Sequence, residues 1–353
     1  MKKILLFCLV FVLAGAMVFA KGSPEPAAGG GAKIGAGRTL VVGIWGAQQE
    51  TIVREHVLKA FEAETGAAVE LVLGGSSDRA ARIYSELENP SMDVVYLNMA
   101  QTAQAAADNA ILPPNPARVP NYESLYPIAK SVGGYGVALM AVGLMYNTNV
   151  FKTPPDSWTV LWDSANKGKV APFVFPGTQG TAFLVMAAKV HGGSEANIGP
   201  GFEAITKLKP FPLLASGIDE LNLAFKNGDV WLAPQIDGYA NDYKDQGGPV
   251  GFVLPREGAI LSMNCAAVTK NSKNADLAEI WINYHLGQPC QEAYARELKY
   301  GPTNSKVTLP GDLSAKVVYG DAAVSRLQRL DDATVTKNQS AWTDRWNREI
   351  LNQ

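Results

Sequence analysis

The stretch YGVALMAVGLMY, residues 135–146, is an unbroken apolar run closed at each end by tyrosine. A run of that length, rich in strand-forming residues, reads as two strands or as one long strand crossing between two bodies. On its N-terminal side the pattern alternates. Residues 39–45 (TLVVGIW) predict a short buried strand, and 49–64 place Ile52, Val53, Val57, Leu58 and Phe61 at helical period before a stop at Gly66. Strands are expected at 68–73 and 93–97 and helices at 78–88 and 101–109, an order that predicts a parallel sheet with helices on its faces. Beyond the run, a second βα series is expected, with strands at 169–175, 211–214, 230–233 and 250–253. Its helices fall at 158–163, 178–190, 202–208, 217–226 and 237–245. A strand at 260–268, a helix pair at 276–286 and 289–298, and a mostly helical tail from Leu313 complete the pattern. The expected fold is therefore α/β and two-lobed, each lobe a central sheet flanked by helices, with a ligand between them at the carboxyl ends of strands. A length of 353 residues agrees with two bodies.

The N-terminus carries Lys2 and Lys3, then an apolar run from Ile4 to Phe19, with Val18 and Ala20 as small residues flanking Phe19. This pattern predicts a secretory signal peptide over 1–20, cleaved near Ala20, and hence a periplasmic protein; a retained anchor would need about 20 apolar residues. Cys8 follows Phe7 inside the run, so lipidation is not expected. The Gly/Ala/Pro-rich stretch 21–37 is expected to be a flexible leader. With 31 Lys+Arg against 33 Asp+Glu the net charge is -2, which gives no basic footprint for nucleic acid or an anionic membrane. Beyond the leader, Cys265 and Cys290 could pair, although Cys265 in an apolar run reads better as a buried thiol. His56, His191 and His285 are scattered, and no metal-ligand spacing is present. Neither a G-x-S-x-G elbow nor a phosphate-binding glycine fingerprint occurs, so a secreted enzyme is the weaker expectation and no cofactor is called for.

Five stretches, in order, resemble the substrate-binding proteins of bacterial ABC importers, in the group that holds the spermidine/putrescine and ferric-iron binders. They are Trp45 with the helix ending FEAETG (61–66); ARIYSELENP (81–90) with DVV (93–95); VGLMYN (142–147); SWTVLWD (157–163) with KGK (167–169); and YGPTN (300–304). The resemblance implies a periplasmic-binding-protein-like fold with crossovers near residues 143 and 260. It implies a monomeric receptor that closes by hinge motion and docks on a membrane permease, without catalysis. Lobe 1 is expected over 38–143 plus 264–306 and lobe 2 over 144–263 plus 307–353.

Trp45 ends the first strand, where the polyamine binders place an aromatic wall; as an alternative it plugs the core. The loop Gly74-Gly75-Ser76-Ser77 precedes a helix, so Ser76 and Ser77 either present polar groups and free amides to a ligand or cap that helix. Thr178, Gln179 and Thr181 repeat the arrangement in the second lobe, and two such loops would suit a carboxylate or phosphonate. Asn98, Gln235, Asp237 and Tyr239 lie just past predicted strands. By the resemblance, Asn264 stands where polyamine binders hold a carboxylate. Polyamine recognition needs several acids to pair desolvated ammonium groups, and Asp237 is the one obvious acid, so the solute is expected to be polar and polyamine-like or else an aminophosphonate, thiamine or ferric iron. Tyr239 and Tyr243 are four residues apart rather than adjacent, which disfavours iron.

Overall fold

The structure, a computed structural model, describes residues 33–351. The signal-peptide reading over 1–20 and most of the expected leader fall outside the described residues. The end of that leader is ordered: Gly35 N–H donates to Thr65 O at 2.8 Å and Lys33 Nζ to Ala63 O at 2.5 Å, tying residues 33–37 to a helix end.

The N-terminal alternation appears as expected. Strands β1 (Thr39–Ile44), β2 (Ala68–Leu73) and β3 (Val94–Asn98) are parallel, in the order β2-β1-β3. Helices α1 (Gln48–Val53) and α2 (Lys59–Thr65) are joined by a π-helical turn, Arg54–Leu58, and Gly66 closes α2 with φ of 71°. They cover one face with Leu40, Val42, Ile44, Val94 and Tyr96. Helices α3 (Ser76–Ser85) and α4 (Met99–Ala107) belong to the opposite face, where Val95 and Leu97 pack on Ile83 and Ala105. The two-residue side-chain period of the strands sorts these residues between the two faces.

The run at 135–146 is one strand, β4 (Tyr135–Asn147), buried along its whole length. Its first half pairs antiparallel with β7 (Ala259–Val268), from Tyr135↔Ala266 to Val142↔Ile260. From Val142 onward it pairs with β5 (Leu232–Ile236), and from Leu144 with β6 (Val250–Val253). In turn β7 pairs with β3, from Asn98↔Asn264 to Val94↔Val268. Two long strands therefore carry the sheet from lobe 1 into lobe 2, and burial on both faces explains why β4 is apolar without alternation.

Lobe 2 adds α5 (Thr178–Val190), α6 (Gly199–Lys207), α7 (Ile218–Asn227) and α8 (Asp237–Asp245). The strands expected at 169–175 and 211–214 do not form. Val170 and Phe173 make single bridges to Leu232 and Ala215, because Pro172, Pro176, Pro210 and Pro212 remove ladder donors and bend the chain between partners. Helices α9 (Ala275–His285) and α10 (Gln288–Leu298) return to lobe 1, α9 packing on α2 and α10 on α1. The tail contains α11 (Gly311–Ser314), α12 (Asp321–Val324), the short strand β8 (Leu327–Gln328) and α13 (Asp332–Trp346). Val307, Leu309 and Leu313 pack with Ala295 of α10, whereas Lys316 O accepts from Asn241 of α8.

A buried polar chain locks α9 onto β3. Trp281 Nε1 donates to Tyr96 Oη at 3.0 Å, and Tyr96 Oη shares a hydrogen bond with His285 Nδ1, 2.8 Å away. His285 is wholly buried, and desolvation pushes its pKa down to about 3. The unfolded chain, with an ordinary histidine near 6.5, binds this proton first, so stability falls as pH drops from about 6.5 towards 3. Denaturant unfolding of the wild type and His285→Gln at pH 7 and pH 5 should show the wild-type advantage shrinking by about 2 kcal/mol at the lower pH. An unchanged difference would contradict a buried neutral imidazole.

Candidate solute-binding site

The C-terminal ends of β1, β2 and β3 meet an unusual buried cation. Pairing of β1 with β3 reaches Gly43↔Val95, which leaves the Tyr96 carbonyl beyond the ladder. Arg79 Nε donates to that oxygen at 2.7 Å, and Nη1 donates to Gly74 O, past the end of β2, at 2.5 Å. The side chain curls back over the first turn of α3, as helical side chains do. Gly43 makes room: a Cβ there would meet Met92 Sδ at 2.5 Å and Arg79 Cδ at 2.7 Å. Trp45 completes the arrangement, its half-buried ring 4.7 Å from the Arg79 guanidinium carbon and edge-on to Tyr96 at 6.5 Å. It is both a core neighbour and a surface at the strand end.

Ser76 and Ser77 occupy the first turn of α3 itself, since the helix begins at Ser76 and its cap is Gly75. No side chain caps that terminus, so capping is not the role of these serines. Across the molecule α5 begins in the same way. Its cap is Gly177, with no side-chain capping bond, and Thr178 is exposed. Gly180 lets this first turn approach the preceding chain, because a Cβ would lie 2.2 Å from Val174 O. Helix α3 begins past the end of β2 and α5 past the single bridge of Phe173, and both present first-turn amides that have no side-chain cap.

The other expected residues divide. Asn98 is exposed at the end of β3 but serves as the cap of α4, accepting from Gln101 N–H at 2.8 Å, while its own N–H donates to Gln101 Oε1 at 3.2 Å. Gln101 Nε2 also reaches Ser77 Oγ at 3.5 Å, joining the starts of α3 and α4. Asn264 lies directly opposite Asn98 in the β3–β7 register, partly exposed, and no described side chain or backbone group hydrogen-bonds to its amide. Gln235 is fully buried; its Oε1 accepts from Gln179 Nε2 at 3.1 Å, and its Nε2 meets no acceptor among the described residues. Thr181 is buried and donates its hydroxyl to Pro176 O at 3.2 Å, so it shapes the α5 loop rather than presenting a free hydroxyl. Tyr239 is 40% exposed, with Tyr300 beside it.

Asp237 is buried where β4 changes partners. Its Oδ1 accepts from Ala141 N–H at 3.0 Å, and the Gly238 and Val318 amides also face the carboxyl. It borders a cavity of about 170 Å³ with Asn241, Phe252, Lys316 and Val318. Burial outweighs these amides and raises its pKa to about 7. Arg79 was not among the expected site residues. Its signal was its place three residues after a Gly-Gly-Ser loop that leaves a strand, which is not specific without the fold.

A two-lobed sheet structure with polar, uncapped strand-to-helix turns defines a binding protein of the periplasmic type. The chain belongs to the bacterial extracellular solute-binding protein family, whose model matches residues 56–319. It is similar to the crystal structure of an ABC transporter from Clostridium perfringens ATCC 13124, at 28% identity and a TM-score of 0.79 over 88% of this chain and 99% of that one. It is 28% identical over 203 residues to spermidine/putrescine-binding periplasmic protein 1 of Haemophilus influenzae, a match spanning 55% of each chain. It is also 28% identical over 314 residues, 82% of this chain and 85% of the relative, to a periplasmic protein of Salmonella typhimurium whose proposed ligand is 2-aminoethylphosphonate. Among the described residues no helix is long and apolar enough to cross a membrane.

The sign of the Asp237 effect is opposite to that of His285. The fold favours the protonated acid, so this group's contribution declines as pH rises from about 4 through about 7. Asp237→Asn should gain stability relative to the wild type on the order of 2–4 kcal/mol at pH 8 and much less at pH 4, read from paired unfolding curves. A constant offset at both pH values would contradict the buried carboxyl.

Proposed function

We propose that the chain is the extracytoplasmic receptor of an ABC importer for a small amine-bearing solute that also carries an oxyanion. The proposed lobes are 38–143 plus 264–306 and 144–263 plus 307–353. The observation that carries this reading is the pair of glycine-led helix starts, at Ser76 and Thr178, neither with a side-chain cap. Such termini present backbone donors and the positive end of a helix dipole, which favour anions. Around them the polar groups are Asn98, Gln179, Gln235 and Asn264. Asp237, the one acid in the set, is fully buried with Oδ1 on the Ala141 amide, so its carboxylate is not presented on an open surface to an ammonium group. Trp45 and Tyr239 supply aromatic surface for methylenes or an ammonium group. Binding rather than turnover is the activity, with closure of the lobes stabilised by contacts to both sides of the cleft.

A polyamine is the second reading, favoured by the five matching stretches and by the spermidine/putrescine-binding relative. Titration calorimetry with 2-aminoethylphosphonate, 4-aminobutyrate, putrescine and spermidine separates the two. An anionic amine should bind with micromolar Kd, about −8 kcal/mol, and putrescine at least ~100-fold more weakly. Tight putrescine binding with no response to either anionic amine would transfer the chain to the polyamine reading.

A further inference from the structure

We propose that Arg79 and the first turn of α3 form the anion anchor of the solute cleft, a subsite covered in this structure by the indole of Trp45. This inference rests on the reading of an anionic solute and assigns its charged group to lobe 1. Arg79 is 3% exposed, and its Nη2 meets no acceptor among the described residues. Its two bonds go to neutral carbonyls, Tyr96 O and Gly74 O, and no carboxylate lies within ion-pair distance of it. Asp78, the adjacent acid, is exposed and bonds to nothing described. The exposed Asp78 carboxylate acts on Arg79 only through its field, and a buried cation without a directly paired counter-charge is costly to the fold unless something compensates it. Burial lowers its pKa only to about 10, so the group stays charged at neutral pH.

The surroundings are shaped for a partner. Gly74 and Gly75 are exposed; a Cβ at Gly74 would meet nothing within 4 Å, and one at Gly75 would meet only Asp78 Oδ2 at 3.6 Å, an exposed carboxylate that an entering anion would have to displace towards solvent. The guanidinium is held at this same turn by its bond to Gly74 O, so a fixed cation and the α3 terminus converge there. Oxyanions with two or three oxygens suit this geometry: one oxygen on Nη2, the others on first-turn amides. Trp45 is half-buried and stacks on the cation, so an entering anion would shift the ring. A lysine would supply the charge without the fork.

The test uses the full mature chain with 2-aminoethylphosphonate and methylphosphonate as probes. Arg79→Met, checked for folding by its thermal transition, should lose at least ~30-fold in affinity for both probes, and Arg79→Lys should fall between it and the wild type. A folded Arg79→Met that binds as tightly as the wild type overturns the anchor and leaves the anionic-solute reading intact. A wild type that binds neither probe but binds putrescine overturns both. Should Arg79→Met fail to fold, the wild type carries the test through fluorescence. Saturating probe should change the difference between wild-type and Trp45→Phe emission spectra, because the indole leaves the guanidinium. An unchanged difference spectrum at saturation overturns the proposal.

Discussion

Everything in this molecule depends on the antiparallel pairing of β4 with β7. Each strand belongs to both lobes: β4 exchanges its partner at Val142, and β7 joins β3 from Asn264 onward. Because the ladder is continuous, the lobes share one sheet and one large apolar core, yet few other strands connect them. Such a connection permits rotation at a few residues while each lobe stays rigid, the geometry expected of hinge closure. It also determines where the chemistry lies. The carboxyl ends of β1, β2 and β3 and the start of α5 lead to turns rich in glycine and short polar side chains.

Polar groups buried near these turns differ in how completely they are satisfied. Tyr96, Trp281 and His285 form a chain that holds α9 in place, with His285 Nε2 left without a partner among the described residues. Arg79 and Gln235 each keep a donor without an acceptor, at the start of α3 and beside Gln179 of α5. Natural proteins satisfy most buried polar atoms, so these two donors, each beside the start of a helix with no side-chain cap, call for an explanation, as do the unpartnered His285 Nε2, Arg329 Nε and Trp346 Nε1. Asp237 adds a third buried group, at the exchange point itself, where its carboxyl accepts from the β4 backbone at Ala141.

Much of this was legible in the residues. The apolar run at 135–146 became one crossing strand, Trp45 and the Ser76–Ser77 turn fell at strand-to-helix junctions, and Thr178 and Gln179 opened a helix. Period and glycine placement carry such information because they are local. The failures were tertiary. Residues 169–175 have strand composition, but Pro172 divides them between two partners. Thr181 looks like a ligand hydroxyl until the fold turns it towards Pro176. Arg79 reads as an ordinary charged helix residue, since only the register of β1 against β3 reveals the carbonyl it caps and the purpose of Gly43.

The claim that two rigid halves close around a solute is tested most directly by small-angle scattering with and without the anionic amine that saturates the protein. A compact chain of this size has a radius of gyration near ~20 Å. Closure about the crossing strands predicts a smaller radius and a shorter maximum dimension at saturation, with unchanged mass. Identical scattering curves at confirmed saturation would contradict it.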